Sequence, residues 1–150
     1  MNLTPHFTLA EFEHSDTAIE LGIANKATST HIVRLRSLCS NVLEPIRAHF
    51  GRPVRITSGF RVPALCVAIG SSKSSQHAKG EASDFEITGV SNFQVASWIR
   101  DNLTFDQLIL ENYVRGQPNS GWIHCSYRVD RARKDVLTYS RRKYFKGLLA

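Results

Sequence analysis

Disulfide chemistry is the first thing this sequence lacks. Only three of its 150 residues are cysteine, Cys39, Cys66 and Cys125. An odd count without a Cys-x-x-Cys spacing speaks against a disulfide framework and against a cysteine-type zinc site. Buried, reduced thiols are the expectation. Long apolar runs are missing too: no stretch approaches the roughly 20 residues a membrane-spanning helix needs. The opening Met-Asn-Leu-Thr-Pro-His-Phe-Thr has neither the basic nor the apolar region of a secretory signal. A protein made in the cytoplasm is therefore expected. Repeats, low-complexity tracts and linker-like runs are also absent, so residues 1–150 read as one domain, long enough to bury a core without covalent staples.

Negative charge is in short supply. Nineteen Lys and Arg against thirteen Asp and Glu give a formal net charge of +6. The excess crowds the C-terminus, at Arg128, Arg131, Arg133, Lys134, Arg141, Arg142, Lys143 and Lys146. Such a field attracts polyanions, whether nucleic acid, anionic lipid or an anionic wall polymer, or is simply a solvated basic face. Apart from Tyr139, Tyr144 and Phe145 the cluster lacks the interleaved aromatics of a single-strand platform, so nucleic acid ranks last among these partners.

What is present reads as helices first and strands later. Thr8 and Glu11 form a capping-box pattern before Leu9–Phe12, and Asp16–Leu21 is a helical turn stopped by Gly22. Ile32, Leu35, Leu38, Val42, Ile46 and Phe50 recur at steps of three and four, one apolar helix face that Pro45 should kink or break. Val54–Thr57, Ala82–Ile87, Phe105–Glu111, Trp122–Tyr127 and Val136–Tyr139 read as strands, the last of these closing the fold. Pro63 opens a short helix, residues 70–80 form a polar loop, and Ser91 caps a helix running through Ile99. The class is α+β, with N-terminal helices packed on a small antiparallel sheet.

Three residues carry possible metal chemistry. His77 lies in the polar loop, and Asp84 faces outward from the strand that buries Phe85 and Ile87. His124 shares a strand face with Trp122 and Ser126, opposite Ile123, Cys125 and Tyr127. That alternation argues against a Cys125–His124 nucleophilic dyad. Two imidazoles and a carboxylate suit zinc with a fourth position open to water, the arrangement of a hydrolase. The same residues could also be ordinary surface side chains.

The quoted runs His6-Phe7-Thr8-Leu9, Ser58-Gly59-Phe60-Arg61, Ser74-Ser75-Gln76-His77-Ala78-Lys79-Gly80-Glu81-Ala82-Ser83-Asp84 and Trp122-Ile123-His124 resemble the M15 family of zinc peptidases. Specifically, they resemble its phage-type branch related to zinc D-Ala-D-Ala carboxypeptidases. The likeness spans roughly residues 6 to 128. It implies a hedgehog/DD-peptidase-like fold and one zinc ion held by His77, Asp84 and His124. It also implies an oxyanion-stabilising role for Arg61 and substrate hydrogen bonds from Ser75 and Gln76. Many M15 enzymes carry an acid three positions before the last His, where this chain has Gly121. Glu111, at the end of an apolar strand, is the replacement general base, with Glu86 in reserve.

The resemblance further implies a peptidase acting on murein stem peptides, as a D-Ala-D-Ala carboxypeptidase or endopeptidase. Its partners would be peptidoglycan and the anionic envelope, without specific nucleic acid, and it would act as a monomer. With no signal segment, an endolysin reaching the wall by holin-type release is expected. The competing readings are a zinc-containing wall-binding module that has lost the reaction and a basic nucleic-acid binder.

Overall fold

Local signals set most element boundaries. The computed structural model describes residues 1–150. Strands β1 (Asn2–Thr4) and β2 (Phe7–Thr8) pair as a small antiparallel hairpin, which the sequence pattern does not announce. Helix α1 (Leu9–Glu13) starts in the expected capping box: Thr8 Oγ1 accepts from Glu11 N, and Glu11 Oε2 accepts from Thr8 N at 2.7 Å. Helix α2 (Asp16–Leu21) ends at Gly22 in the left-handed conformation.

The long apolar face forms α3 (Ser29–Leu38), a π-helical turn (Cys39–Leu43) and α4 (Glu44–Phe50). Pro45 therefore neither breaks nor ends the helix. The widened turn before it accommodates the missing proline N–H, a recognised use of π-bulges. Leu35, Leu38, Val42 and Ile46 along this face are fully buried.

The remaining elements are β3 (Arg55–Ser58), α5 (Pro63–Ala68), β4 (Ala82–Glu86), α6 (Asn92–Asn102), β5 (Gln107–Glu111), β6 (Trp122–Ser126), β7 (Asp135–Ser140) and β8 (Lys143–Lys146). Six strands form one sheet in the order β3-β4-β6-β5-β7-β8. The α+β class holds, with one refinement. Four neighbouring pairs are antiparallel, but β5 and β7 are parallel. Strand β8 was also not anticipated.

One sheet face, with Phe85, Leu108, Leu110, Ile123 and Cys125, joins Leu35, Leu38, Val42, Ile46, Val95 and Ile99 from the helices in a core cluster of 22 buried residues. Burying this much apolar surface is the main stabilising term of such a fold. It also leaves the other sheet face to carry polar chemistry.

Candidate metal centre

The period-two pleat puts the chemistry on one side of β4, β6 and β5. Asp84 is registered opposite His124, His124 opposite Ile109, and Trp122 opposite Glu111. His77 comes from the loop before β4. Its backbone carbonyl accepts from Arg61 N at 3.2 Å, and its backbone N–H donates to Ser75 Oγ at 3.1 Å.

Gly59 sets the ring orientation of His77. Phe60 N donates to Phe12 O at 2.7 Å, and a Cβ on Gly59 would lie 2.6 Å from Phe12 Cα. Only glycine allows that approach, which presents the Gly59 carbonyl to the imidazole. His77 Nδ1 lies 2.7 Å from that oxygen. A carbonyl only accepts, so Nδ1 carries the proton and Nε2 of the neutral ring carries a lone pair aimed the other way. Burial pushes the His77 pKa down, favouring that neutral ring.

Nε2 of His77 is 3.3 Å from Asp84 Oδ1, and Nδ1 of His124 is 3.0 Å from the same oxygen. Burial would raise the Asp84 carboxyl, but the facing imidazoles outweigh it and hold it well below the usual carboxylate range. With the ring neutral, its Nε2 lone pair faces an ionised oxygen, so a cation, whether a proton or a metal ion, belongs between them. The three ligand atoms lie within 4.8 Å of one another. Zinc bonds of about 2.0–2.1 Å imply tetrahedral edges of roughly 3.3 Å, close to the two spacings given above. The donor set, tautomer and spacing all fit zinc.

Arg61 closes the other side of the carboxylate. Its Nη2 donates to Asp84 Oδ2 at 3.3 Å and its Nε to Ser58 Oγ at 2.8 Å. Asp84 is thereby turned so that Oδ1 points at the histidines, a common way for an outer partner to orient a metal-binding carboxylate.

These residues line a cleft of about 360 Å3 that also contains Ser75, Gln76, Glu111, Trp122 and Tyr144. The structure therefore brings together every residue of the expected site. Glu111 is partly buried, and burial raises its pKa above the ordinary carboxylate value; the nearby His124 lowers it and Asp84 raises it further. Ser75 Oγ accepts from His77 N and keeps its own proton to donate. Gln76 differs from expectation. Its amide nitrogen donates to Asp106 Oδ2 at 3.0 Å and Glu81 Oε1 at 3.4 Å, so both N–H groups are engaged and only its carbonyl remains for a ligand.

Glu86 does not serve as a reserve base. It pairs with Arg55 at 3.0 Å, accepts from Asn92 Nδ2 at 3.1 Å, and lines a separate pocket. Cys125 is fully buried behind the sheet, as the alternation required, and burial raises its thiol pKa.

Gly121, the departure from the family pattern, has a physical reason. Its φ is +70°, and any Cβ there would run into the Glu111 carbonyl oxygen. An acidic side chain at 121 is incompatible with this pairing of β5 and β6. Tyr144, noted in the sequence only as an aromatic of the basic C-terminus, reaches the cleft through strand β8, which the pattern did not announce.

A search of curated proteins found no match. The family model described as Peptidase M15 matches residues 5–126 and so contains His77, Asp84, Glu111 and His124. The chain belongs to the peptidase M15 family, whose members are zinc-dependent metallopeptidases.

Proposed function

We propose that this cleft hydrolyses peptide bonds in the stem peptides of peptidoglycan, in an endolysin-type role, with His77, Asp84 and His124 holding the ion. The observation that carries the reading is the convergence of these three side chains with Glu111 and Arg61 in one cleft. When bound, zinc supplies Lewis acidity for the scissile carbonyl and lowers the pKa of water.

The protein's own groups supply the proton path and the oxyanion site. Glu111 takes a proton from the attacking water onto a carboxylate oxygen and returns it to the leaving amine. A base whose proton affinity is raised by burial works closer to neutral pH than an ordinary carboxylate. Arg61 is fixed by Ser58 and Asp84, and its Nη1 makes no hydrogen bond within the protein. That uncommitted end is available for the negative oxygen of the tetrahedral state. The Ser75 hydroxyl and the Gln76 carbonyl supply one donor and one acceptor for the substrate backbone.

The exposed Arg141, Arg142 and Lys143 favour an anionic envelope as the working surface. The zinc-loaded protein is expected to clear permeabilised cells and release defined muropeptides, identified by mass spectrometry, with loss of both in chelator. Absence of any released fragment from zinc-loaded protein would refute the reading.

A second reading, a wall-binding module without turnover, draws on Gly121. The acid found there in many relatives is missing, and the backbone leaves it no room. Glu111→Ala separates the two. A module binds sacculi equally with or without Glu111, whereas an enzyme loses fragment release.

A further inference from the structure

The family match ends at residue 126, yet the sheet does not. Strand β7 joins β5 in parallel, and β8 folds back on β7 through a two-residue turn at Arg141 and Arg142. Both arginines have positive φ, 52° and 63°. Tight hairpins of this kind ordinarily use Asn-Gly or Gly-Gly at these positions, because other residues are strained there. The strained turn fixes the register of β8: Tyr144 lies opposite Tyr139, with ring centroids 4.6 Å apart.

Register then decides which way Tyr144 faces. Ile109 pairs with Leu137, Leu110 with Thr138, and Tyr139 follows at the level of Glu111. Thr138 is fully buried on the core side, so Tyr139 and its partner Tyr144 share the face of Glu111. Tyr144 accordingly lines the same cleft as Glu111, Trp122 and His124. It is still 60% exposed and lies outside the core cluster. Its hydroxyl has no hydrogen-bond partner within the protein. Burial and the neighbouring Glu111 both raise the phenol pKa, so the group stays a neutral donor where the enzyme works.

Resting on the peptidase reading above, we propose that Tyr144 is a substrate-binding residue: its phenolic O–H donates to an acceptor oxygen of the peptide substrate on the Glu111 side of the cleft. The β7–β8 hairpin, outside the family-matched segment, thus forms one wall of the binding site. A competing role is purely structural, an aromatic pair with Tyr139 that stiffens an edge hairpin.

Kinetics and equilibrium binding separate these roles. Soluble muropeptides released from sacculi by a glycosidase serve as the probe. Hydrolysis is followed in the zinc-loaded chain, and binding is followed by calorimetry in a Glu111→Gln background, where turnover is slow enough for the peptide to stay intact during the titration. Tyr144→Phe removes only the hydroxyl. It should raise KM and Kd about 5-fold, the size of one net hydrogen bond, with kcat within about twofold and melting temperature and zinc content unchanged. Tyr144→Leu, which also removes the ring, should do at least as much.

Unchanged KM and Kd in both variants would overturn the proposal. A fall in melting temperature with unaltered Kd would also overturn it and assign the structural role instead. If the chain with Tyr144 intact neither cleaves nor binds these peptides, the peptidase reading itself fails and takes the proposal with it. If that chain cleaves and its Kd ignores Tyr144, only the proposal fails.

Discussion

Two buried aspartates sit on this sheet, and their surroundings are opposite in kind. Asp106 is fully buried and gripped by two guanidinium forks. Arg131 donates to Oδ1 and Oδ2 at 3.1 and 2.8 Å, and Arg133 does so at 2.9 and 2.9 Å. Arg133 N and Gln76 Nε2 add two more donors. Burial raises the Asp106 pKa, but these donors outweigh it and hold it well below the usual range. Its charge and lone pairs are met from within the chain.

Asp84 has one guanidinium contact on Oδ2, while Oδ1 faces two imidazoles, one of which presents a lone pair. A buried carboxylate is therefore not a site by virtue of burial. It becomes one where acceptors converge and donors run out. The comparison also reassigns much of the basic C-terminus. Arg131 and Arg133 neutralise Asp106, Arg128 pairs with Asp130, and Lys134 lies 5.7 Å from the Phe105 ring centroid. Arg131 and Arg133 share a single carboxylate and keep one positive charge between them, so the free excess is smaller than the row of C-terminal cations suggests and is densest at the β7–β8 turn. This weakens the nucleic-acid reading.

The largest effect should come from removing the aspartate that faces the two imidazoles. Asp84→Ala is expected to abolish stoichiometric zinc and lower kcat/KM by about 10³-fold or more, checked by metal analysis and muropeptide release. Retained zinc with retained activity would mean the ion sits elsewhere. Glu111→Gln comes next, with about a 10²- to 10³-fold loss of kcat and zinc still bound. Activity in the unsubstituted enzyme should fall on the acid side as Glu111 takes up a proton and ceases to act as a base. An acid limb that persists unchanged in the residual activity of Glu111→Gln would remove Glu111 from the role of base.

Asp106→Asn tests the other side of the comparison. It should leave zinc content near one per chain but cost about 2–3 kcal/mol in denaturant unfolding. That is less than a fully buried pair would cost, because both arginines are more than four-tenths exposed. The sign of its pH dependence follows from the depressed folded pKa. The stabilisation is present above the unfolded value, about 3.9, and is lost as pH falls toward the folded one. Asp106→Asn should therefore flatten the acid limb of the stability curve; an unchanged limb would show that Asp106 does not contribute to it.

The smallest expected loss of activity is at Gly121. Gly121→Ala should cost about 2–4 kcal/mol, the left-handed φ and the backbone clash acting together, and reduce activity several-fold by displacing the end of β5 that carries Glu111. Measured kcat equal to that of the unsubstituted enzyme would show that the strand end yields without moving the carboxylate.

Much of this was legible in the chain because the signals are local. The capping box at Thr8 and Glu11, the Gly22 stop and the Ser91 cap each depend on residues within one turn of each other. Strand alternation placed Asp84 and His124 on one face and Cys125 on the other. Illegible features depended on partners far along the chain or on turns without the usual residues. Ser140-Arg141-Arg142-Lys143 carries no Gly or Asn to announce a hairpin, so β8 and the placing of Tyr144 in the cleft went unseen. Glu86 shares a strand face with Asp84, and alternation alone made it a plausible base. Its pairing with Arg55, from another strand, takes it out of the cleft. Gln76 looked free for substrate until Asp106, thirty residues away in sequence, engaged its amide.

The sequence by itself determined the α+β class and which side chains have ligand chemistry, since periodicity, caps and residue type act over a few positions. Only the tertiary structure decided which carboxylate faces the two histidines, which arginines already hold a carboxylate, and which aromatic reaches the cleft. Those outcomes depend on sheet order and on contacts between residues 18 to 40 positions apart, such as His77 with Gly59, Asp84 with His124 and Asp106 with Arg131. No local pattern encodes that pairing. Packing of the shared core fixes it, by setting which strand lies beside which.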